Sequence, residues 1–377
     1  MKYYLIAGEA SGDLHGSNLI KALSKNDPEG EFRCWGGDLM EQAGATVVKH
    51  YRDLAFMGFF EVLANLKTIL KNIKMCKEDI LGWKPDVVIF IDYPGFNLRI
   101  AQFAKQHGIP TVYYISPQVW AWKSSRIGQI KRDIGRMLVI LPFEQDFYKQ
   151  HGMEVSFVGH PLLDALDSAS APDGSWKKSH GIPEGKRLIA LLPGSRKQEI
   201  DTMLPIMLEA TRSTQDAHFL LAAAPSQALD YYRGFIQDRT DISLLQGETY
   251  PILSSADAAL VTSGTATLET ALFGVPQVVC YKGNRISYWI ARRLVKIKFI
   301  SLVNLIMDRE VVRELIQDDL NAVNLRYELE RLFEESYRKC IEKEYRELKE
   351  KLGGSGASEK SSILIINYLK SLTKSLV

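Results

Sequence analysis

The chain is poor in the features that most readily mark a function. Its 377 residues include four cysteines, Cys34, Cys76, Cys280 and Cys340, and none stands in a CxxC pair or at metal-ligand spacing. That excludes a zinc module and a disulfide scaffold, and suits isolated thiols in a reducing compartment. The formal net charge is only +2, so no global electrostatic footprint points to nucleic acid. No apolar run reaches the roughly 18–20 residues that a membrane span requires. Met1 to Gly8 lacks the charged lead, long apolar stretch and cleavage site of a signal peptide. A cytoplasmic protein, soluble or peripheral, is therefore expected. Internal repeats and low-complexity tracts are absent, and no strand candidate is followed by GxGxxG, which speaks against a dinucleotide-dependent dehydrogenase.

What is present is an alternation of short apolar runs with longer helical patterns. Strands are predicted over Tyr3–Ala7, Val87–Ile91, Thr111–Ile115, Met137–Leu141 and Val155–Val158, then over Leu188–Leu192, His218–Ala222, Ile242–Leu245, Ala258–Val261 and Gln277–Tyr281. These runs are apolar throughout, as in strands buried on both faces of a parallel sheet. With helices between most of them, the pattern is βαβ and it occurs twice. The expected fold class is α/β, with two Rossmann-like doubly wound domains facing a cleft and followed by C-terminal helices. The first domain is expected over 1–165, a linker over 166–187, the second domain over 188–320 and a helical segment over 321–377. Ligands of such sheets bind beyond the carboxyl ends of the strands.

Gly8-Glu9-Ala10-Ser11-Gly12-Asp13 follows the first strand. It is either a tight turn with a capping residue or a ligand loop, whose acidic groups would suit sugar hydroxyls and repel a pyrophosphate. Asp92 ends the strand 87–91. It either caps the next turn or is a partly desolvated carboxylate, raised in pKa and so a better base. Ser116-Pro117-Gln118-Val119-Trp120-Ala121-Trp122 holds tryptophans that either wall a sugar or acyl chain or anchor the loop to the core. His160 either points toward the ligand or makes a structural hydrogen bond.

In the second half, Leu192-Pro193-Gly194-Ser195-Arg196 offers backbone N–H groups and a guanidinium suited to phosphate. Thr262-Ser263-Gly264-Thr265-Ala266-Thr267-Leu268-Glu269 runs from a strand into a helix whose amino end would hold a diphosphate. Glu269 lies one turn in, placed to accept from ribose hydroxyls. Gly194, Ser195, Arg196, Ser263, Gly264, Thr265 and Glu269 are thus candidates for nucleotide binding. Phe56–Phe60 is a dense apolar cluster. The helix after it carries Leu63, Leu66, Ile69, Leu70 and Ile73, with Lys67, Lys71, Lys74 and Lys77 on its polar side. The segment Lys282–Lys298 mixes Arg285, Arg292 and Arg293 with aromatics. Such elements either lie at a membrane surface or pack as core helices with solvated basic faces. Phe59, Phe60, Leu63, Leu66, Ile69, Leu70, Ile73, Arg292 and Arg293 are the candidates for acyl-chain and membrane contact.

The ordered set of motifs resembles the lipid A disaccharide synthase family, inverting glycosyltransferases of the Gram-negative outer-membrane pathway. The resemblance rests on Gly8–Asp13, Asp92 with Pro94 and Phe96-Asn97, Ser116–Trp122, Leu192–Arg196, Ser263–Glu269 and Ser301-Leu302-Val303-Asn304-Leu305. It implies the GT-B architecture. The implied donor is UDP-2,3-diacylglucosamine and the implied acceptor 2,3-diacylglucosamine 1-phosphate (lipid X). The products would be the β-1′,6-linked disaccharide 1-phosphate and UDP. No cofactor and no metal are called for, and the nearest partner is the inner face of the inner membrane. Relatives form dimers with exchanged carboxyl-terminal elements, so a homodimer of that kind is expected. Asp92 is the candidate base, because Gly95 stands where some relatives have a second aspartate. Arg196 is the candidate that stabilises the leaving group. Glu9, Ser11, Gly12, Asp13 and Asn304 are candidates for acceptor or sugar binding. The rival readings are another GT-B enzyme, such as a UDP-sugar 2-epimerase, and a non-catalytic binder of lipid or nucleotide sugar. The amphipathic segments argue against the epimerase, which needs no lipid-facing surface.

Overall fold

A strand that is apolar on both sides is stable only when both faces of its sheet are covered. The computed structural model, which describes residues 1–53, 66–122, 124–167, 174–283 and 298–374, supplies that cover twice. The first unit comprises Met1–Ser168 and Leu352–Val377, the second Ala169–Lys351.

In the first unit the strands are β1 (Lys2–Ala7), β2 (Glu31–Gly36), β3 (Thr46–His50), β4 (Val87–Ile91), β5 (Thr111–Tyr114), β6 (Arg136–Val139) and β7 (Ser156–Phe157). All pair in parallel, in the order β3-β2-β1-β4-β5-β6-β7. Alternate residues of a strand point to opposite faces, and every residue from Tyr3 to Ala7 and from Val87 to Ile91 is buried. One face packs on the helix Leu66–Trp83 through Ile73, Cys76 and Ile80. That helix is pinned by a polar network. Asp79 accepts from Arg33 Nη2 at 2.6 Å and Nε at 2.9 Å and from the Tyr4 hydroxyl at 2.7 Å, and the Trp35 indole donates to Tyr4 at 2.9 Å.

The second unit holds β8 (Arg187–Leu192), β9 (Ala217–Ala223), β10 (Ile242–Gln246), β11 (Ala258–Thr262), β12 (Gln277–Tyr281) and β13 (Arg313–Ile316), parallel in the order β10-β9-β8-β11-β12-β13. One face of the sheet packs with Met203, Leu204 and Met207 of the helix Lys197–Thr211 and with Leu325 and Leu329 of the helix Ala322–Arg331. The other packs with Ile252, Leu253 and Val275.

The ten expected strands form, shifted by a residue or two at some ends, and β2, β3 and β13 join them. Those three carry charges within the run (Glu31 and Arg33, Lys49, Arg313 and Glu314), so a search for wholly apolar runs passes over them. β3 and β13 are edge strands, where polar side chains are tolerated.

The stretch expected to be a linker, 166–187, is corrected in part. It contains the helix Gly174–Ser179, and Trp176 and Ile182 pack into the second unit's core. The expected segment 321–377 is also divided. The helix Glu335–Lys351 stays with the second unit, where Tyr345 donates to the Val275 carbonyl at 3.2 Å. The chain then breaks at Gly353–Gly356, and the helix Ala357–Lys374 joins the first unit against the helix Ala10–Asn26. Asn26 donates to Ser362 at 2.8 Å and to Glu359 at 3.1 Å across that contact. Asp164 receives the amino end of the final helix, accepting from the backbone N–H groups of Gly356 (2.6 Å), Ala357 (3.2 Å) and Ser358 (2.8 Å).

The membrane-facing candidates are only partly described. Phe59, Phe60, Leu63, Arg292 and Arg293 lie outside the described residues, as does the Leu66 side chain. Ile73 is buried in the core and Ile69 packs against it, so these two are structural, whereas Leu70 is 57% exposed. Lys67, Lys71 and Lys74 form a solvated face on the same helix. No described helix is long and apolar enough to cross a membrane.

An Asp164→Ala variant removes the acceptor for three N–H groups at a helix start. We expect it to lower stability by about 1–2 kcal/mol and to make the 352–377 tail the first site of proteolytic cleavage. Thermal unfolding and timed proteolysis check this, and an unchanged melting temperature with an intact tail would contradict the capping role.

Candidate active site

Strand order reverses between β1 and β4 in the first unit and between β8 and β11 in the second. At such a point the loops leaving two neighbouring strands diverge and leave room for a ligand. The candidate residues cluster there. Ala7 is paired with Ile91, so Gly8-Glu9 and Asp92-Tyr93 leave the first sheet side by side. Leu192 is paired with Val261, so Pro193–Arg196 and Thr262–Thr265 leave the second sheet in the same way.

Asp92 is open to solvent on one side and walled in by protein on the others. Burial, reinforced by the negative charge of Glu9, pushes its carboxyl up to about 6. Asp92 and Tyr93 have φ of +44° and +47°, both left-handed. Pro94, fixed near the helical φ, then opens the helix Pro94–Gln106.

Gly8 has a role other than close approach of a ligand to its backbone: the Tyr93 ring occupies the space where a β-carbon would stand. Gly12 is buried against Ala7, with 3.0 Å between an added β-carbon and that of Ala7. Ser11 is exposed on the first turn of the helix Ala10–Asn26. Asp13 departs from its expected sugar-binding role. It is buried and accepts from the backbone N–H groups of Gly37 (2.8 Å), Leu39 (3.1 Å) and Met40 (3.1 Å), so it holds the start of the helix Asp38–Gln42. A carboxylate with those partners has little left to offer a ligand.

His160 and Trp120 have structural partners. His160 is buried and held neutral by burial, and its Nδ1 accepts from the Leu162 N–H at 3.2 Å. The ring of Trp120 meets Phe143 edge-on at 5.0 Å, which anchors its loop to the body of the unit. The Trp122 side chain is outside the described residues.

In the second unit the loop after β8 is partly filled by its own chain. Glu199 accepts from the N–H groups of Ser195 (3.1 Å) and Arg196 (3.2 Å), and Gly194, at φ +105°, curls around that carboxylate. The expected N–H cradle for a phosphate is therefore occupied by Glu199, and what this loop presents is the exposed Arg196 side chain. The loop after β11 is different. The helix Thr265–Leu272 starts at Gly264 with no side-chain cap, and Gly264 and Thr265 are exposed. An uncapped amino end with its positive dipole end is suited to an anion. Ser263 is tied down instead, donating to the Ile300 carbonyl at 3.1 Å. Glu269 lies behind, raised in pKa by burial, and accepts from Tyr250 at 3.4 Å. Tyr250, in the first turn of the short helix Thr249–Ser255 after β10, carries no local signal in the sequence.

Asn304 likewise has structural partners. It is fully buried, its Oδ1 accepts from Val311 (2.8 Å) and Val312 (3.0 Å), and its Nδ2 donates to the Val312 carbonyl and to Glu314, both at 2.8 Å. Every polar atom of its amide is in use, so it staples the strand β13 to the helix Leu302–Met307.

The architecture has solved counterparts. A UDP-GlcNAc 2-epimerase from Neisseria meningitidis, solved with UDP-GlcNAc bound, superposes with a TM-score of 0.65 over 98% of this chain and 100% of its own, at 12% identity. That likeness establishes the two-domain GT-B fold and nothing finer. Sequence relationships go further. Residues 3–366 match the family model described as lipid-A-disaccharide synthetase. The lipid-A-disaccharide synthase of Syntrophus aciditrophicus is 42% identical over 97% of both chains. That of Geobacter sulfurreducens is 37% identical over 97% of this chain and 96% of its own. The resemblance carried by the strand-end motifs thus extends over nearly the whole length, and the chain belongs to the lipid-A-disaccharide synthase family.

Proposed function

We infer that this chain is the inverting glycosyltransferase that condenses UDP-2,3-diacylglucosamine with 2,3-diacylglucosamine 1-phosphate, with Asp92 as its base. The products are the β-1′,6-linked disaccharide 1-phosphate and UDP. Family membership carries the reaction. The observation that carries the mechanism is the Asp92 carboxyl, raised to about 6 at the strand-order reversal beside Glu9. A base poised near the working pH is ionised yet still basic enough to accept a proton.

Asp92 takes the proton from the acceptor 6-hydroxyl as that oxygen attacks the anomeric carbon, and the bond to UDP breaks on the opposite face. Negative charge then grows on the departing diphosphate. The Arg196 guanidinium and the amino end of the helix Thr265–Leu272 supply donors for that charge. Glu269 accepts from the ribose hydroxyls. Glu9 and Ser11 contact the sugar near Asp92, while Asp13 and Asn304 support the fold.

Both substrates carry acyl chains, so the reaction takes place where those chains remain in lipid. We place the protein peripherally on the inner face of the inner membrane, with exposed Leu70 and the lysine face of its helix nearest the surface. A homodimer with exchanged carboxyl-terminal helices is supported by the Gly-rich break at 353–356, after which the last helix reaches its seat through a short connection.

The founding test is UDP release from the diacylglucosamine donor in detergent, with mass spectrometry of the lipid product. We expect release to require the acceptor and to yield the disaccharide mass. An Asp92→Asn variant should lower kcat by about 10²–10⁴-fold. UDP-sugar turnover without acceptor would favour the epimerase reading. Near-normal turnover of the variant would remove Asp92 from the role.

The pH profile provides a separate check. A base with its pKa raised to about 6 is protonated as pH falls through that value, so kcat/KM drops on the acid side near pH 6. Removing the Glu9 charge with Glu9→Gln lowers the Asp92 pKa and moves that limb to more acid pH. A limb that stays in place would show that Glu9 does not act on the titrating group.

Asn304→Ala leaves buried N–H groups without acceptors and should destabilise the second unit by about 2–3 kcal/mol. Unfolding in denaturant measures this. Unchanged stability with a raised acceptor KM would restore Asn304 to the ligand set.

A further inference from the structure

The backbone at Asp92 is in a conformation that non-glycine residues avoid. Two successive left-handed residues are costly for side chains with a β-carbon and persist only where neighbours impose them. The neighbours are visible. The Asp92 carbonyl accepts from the Tyr113 hydroxyl at 2.5 Å and from the Asn97 amide at 2.8 Å, while the Asp92 N–H donates to the Tyr114 carbonyl at 3.3 Å. The same Asn97 nitrogen approaches the carbonyls of Ile6 (3.3 Å) and Ile91 (3.4 Å), so it bridges the ends of β1 and β4. Tyr113 and Asn97 are both completely buried, Tyr113 in the middle of β5 and Asn97 in the first turn of the helix Pro94–Gln106. The Tyr93 ring, seated over Gly8 and stacked on Phe96 at 5.6 Å, secures the second left-handed residue.

A left-handed residue at the end of a strand turns its side chain away from the direction that an extended one would take. Relaxing Asp92 to an extended φ would therefore redirect its carboxylate and carry its carbonyl away from both donors. We infer that Tyr113 is a positioning residue for Asp92: its hydroxyl, with the Asn97 amide, clamps the Asp92 carbonyl and so aims the carboxylate at the acceptor hydroxyl. This rests on Asp92 being the base. Tyr113 itself touches no substrate and transfers no proton. The arrangement also gives a specific reason for a phenol at this position of β5.

Tyr113→Phe tests the clamp with little disturbance. The ring remains, and the Asp92 carbonyl keeps Asn97 as a donor, so the fold should stand. Steady-state rates with acylated donor and acceptor in detergent, with thermal unfolding, would be measured for Tyr113→Phe, Asp92→Asn and the double variant. We expect Tyr113→Phe to lower kcat about 10–100-fold, within the range that small misplacements cost, with both KM values and the melting temperature nearly unchanged. Its acid limb should move below the wild-type position, because a released carboxylate gains water. In the Asp92→Asn background the same substitution should change the rate by no more than about twofold, within the spread of independent sites. A Tyr113→Phe enzyme with wild-type kcat overturns the inference. So does one that loses the same factor with and without the Asp92 carboxylate, or that loses activity only in step with stability while its acid limb stays in place. Wild-type turnover in Asp92→Asn alone overturns the base assignment itself, which is a different failure.

Discussion

Parallel strands that are buried on both faces must all end at one edge of the sheet, and this constraint organises both halves of the molecule. Because every crossover returns to the same starting edge, the polar and small residues that cannot sit inside the sheet collect at the other edge. Where the strand order reverses, between β1 and β4 and between β8 and β11, two loops part and leave room between them. Glu9, Asp92, Arg196 and Thr265 all emerge at these reversals. The apolar core thus determines where these candidate site residues emerge, although none of those side chains belongs to it.

Some backbone strain is stored at these carboxyl edges. In the first unit Asp92 and Tyr93 are left-handed after β4, and the β-branched Ile115 has φ +67° after β5. These costs are met by buried donors and ring packing supplied by neighbouring strands and by the first turn of a helix. The second unit resolves its strand ends differently. One helix start is closed by its own carboxylate, Glu199, and the other is left without a side-chain cap at Gly264. Two loops that look equally inviting to an anion in sequence are therefore unequal: one contributes a side chain, the other a helix end.

The carboxyl-terminal residues show how a remote segment completes a core. The chain leaves the first unit near Ser168, builds the whole second unit, and returns at Leu352 to lay its last helix on the helix Ala10–Asn26. That last helix and the helix Ala10–Asn26 both pack against strands of the first sheet. Asp164 joins the exit and the return, because it lies on the helix by which the chain departs and receives the N–H groups where it comes back.

Much of this was legible in the residues. Ten of the strands, the α/β class and the doubled architecture follow from apolar runs without a polar face, since such runs have few stable environments. The position of Asp92 at a strand end was legible for the same reason, and the ordered motifs identified the family. The polar strands β2, β3 and β13 were not, because local charge masks a strand whose partner is chosen by the sheet. Nor were the roles of Asp13, His160 and Asn304. A carboxylate, an imidazole or an amide in a motif looks the same whether its partner is a ligand or a backbone N–H several turns away. The sequence by itself determined which segments are strands, where they must end and which chemical groups stand there. Only the tertiary structure decided which of those groups are consumed in holding the fold and which remain for substrate, because the hydrogen-bond partners that settle it, from Gly37 for Asp13 to Tyr113 for Asp92, are distant in the chain and meet only when the sheets assemble.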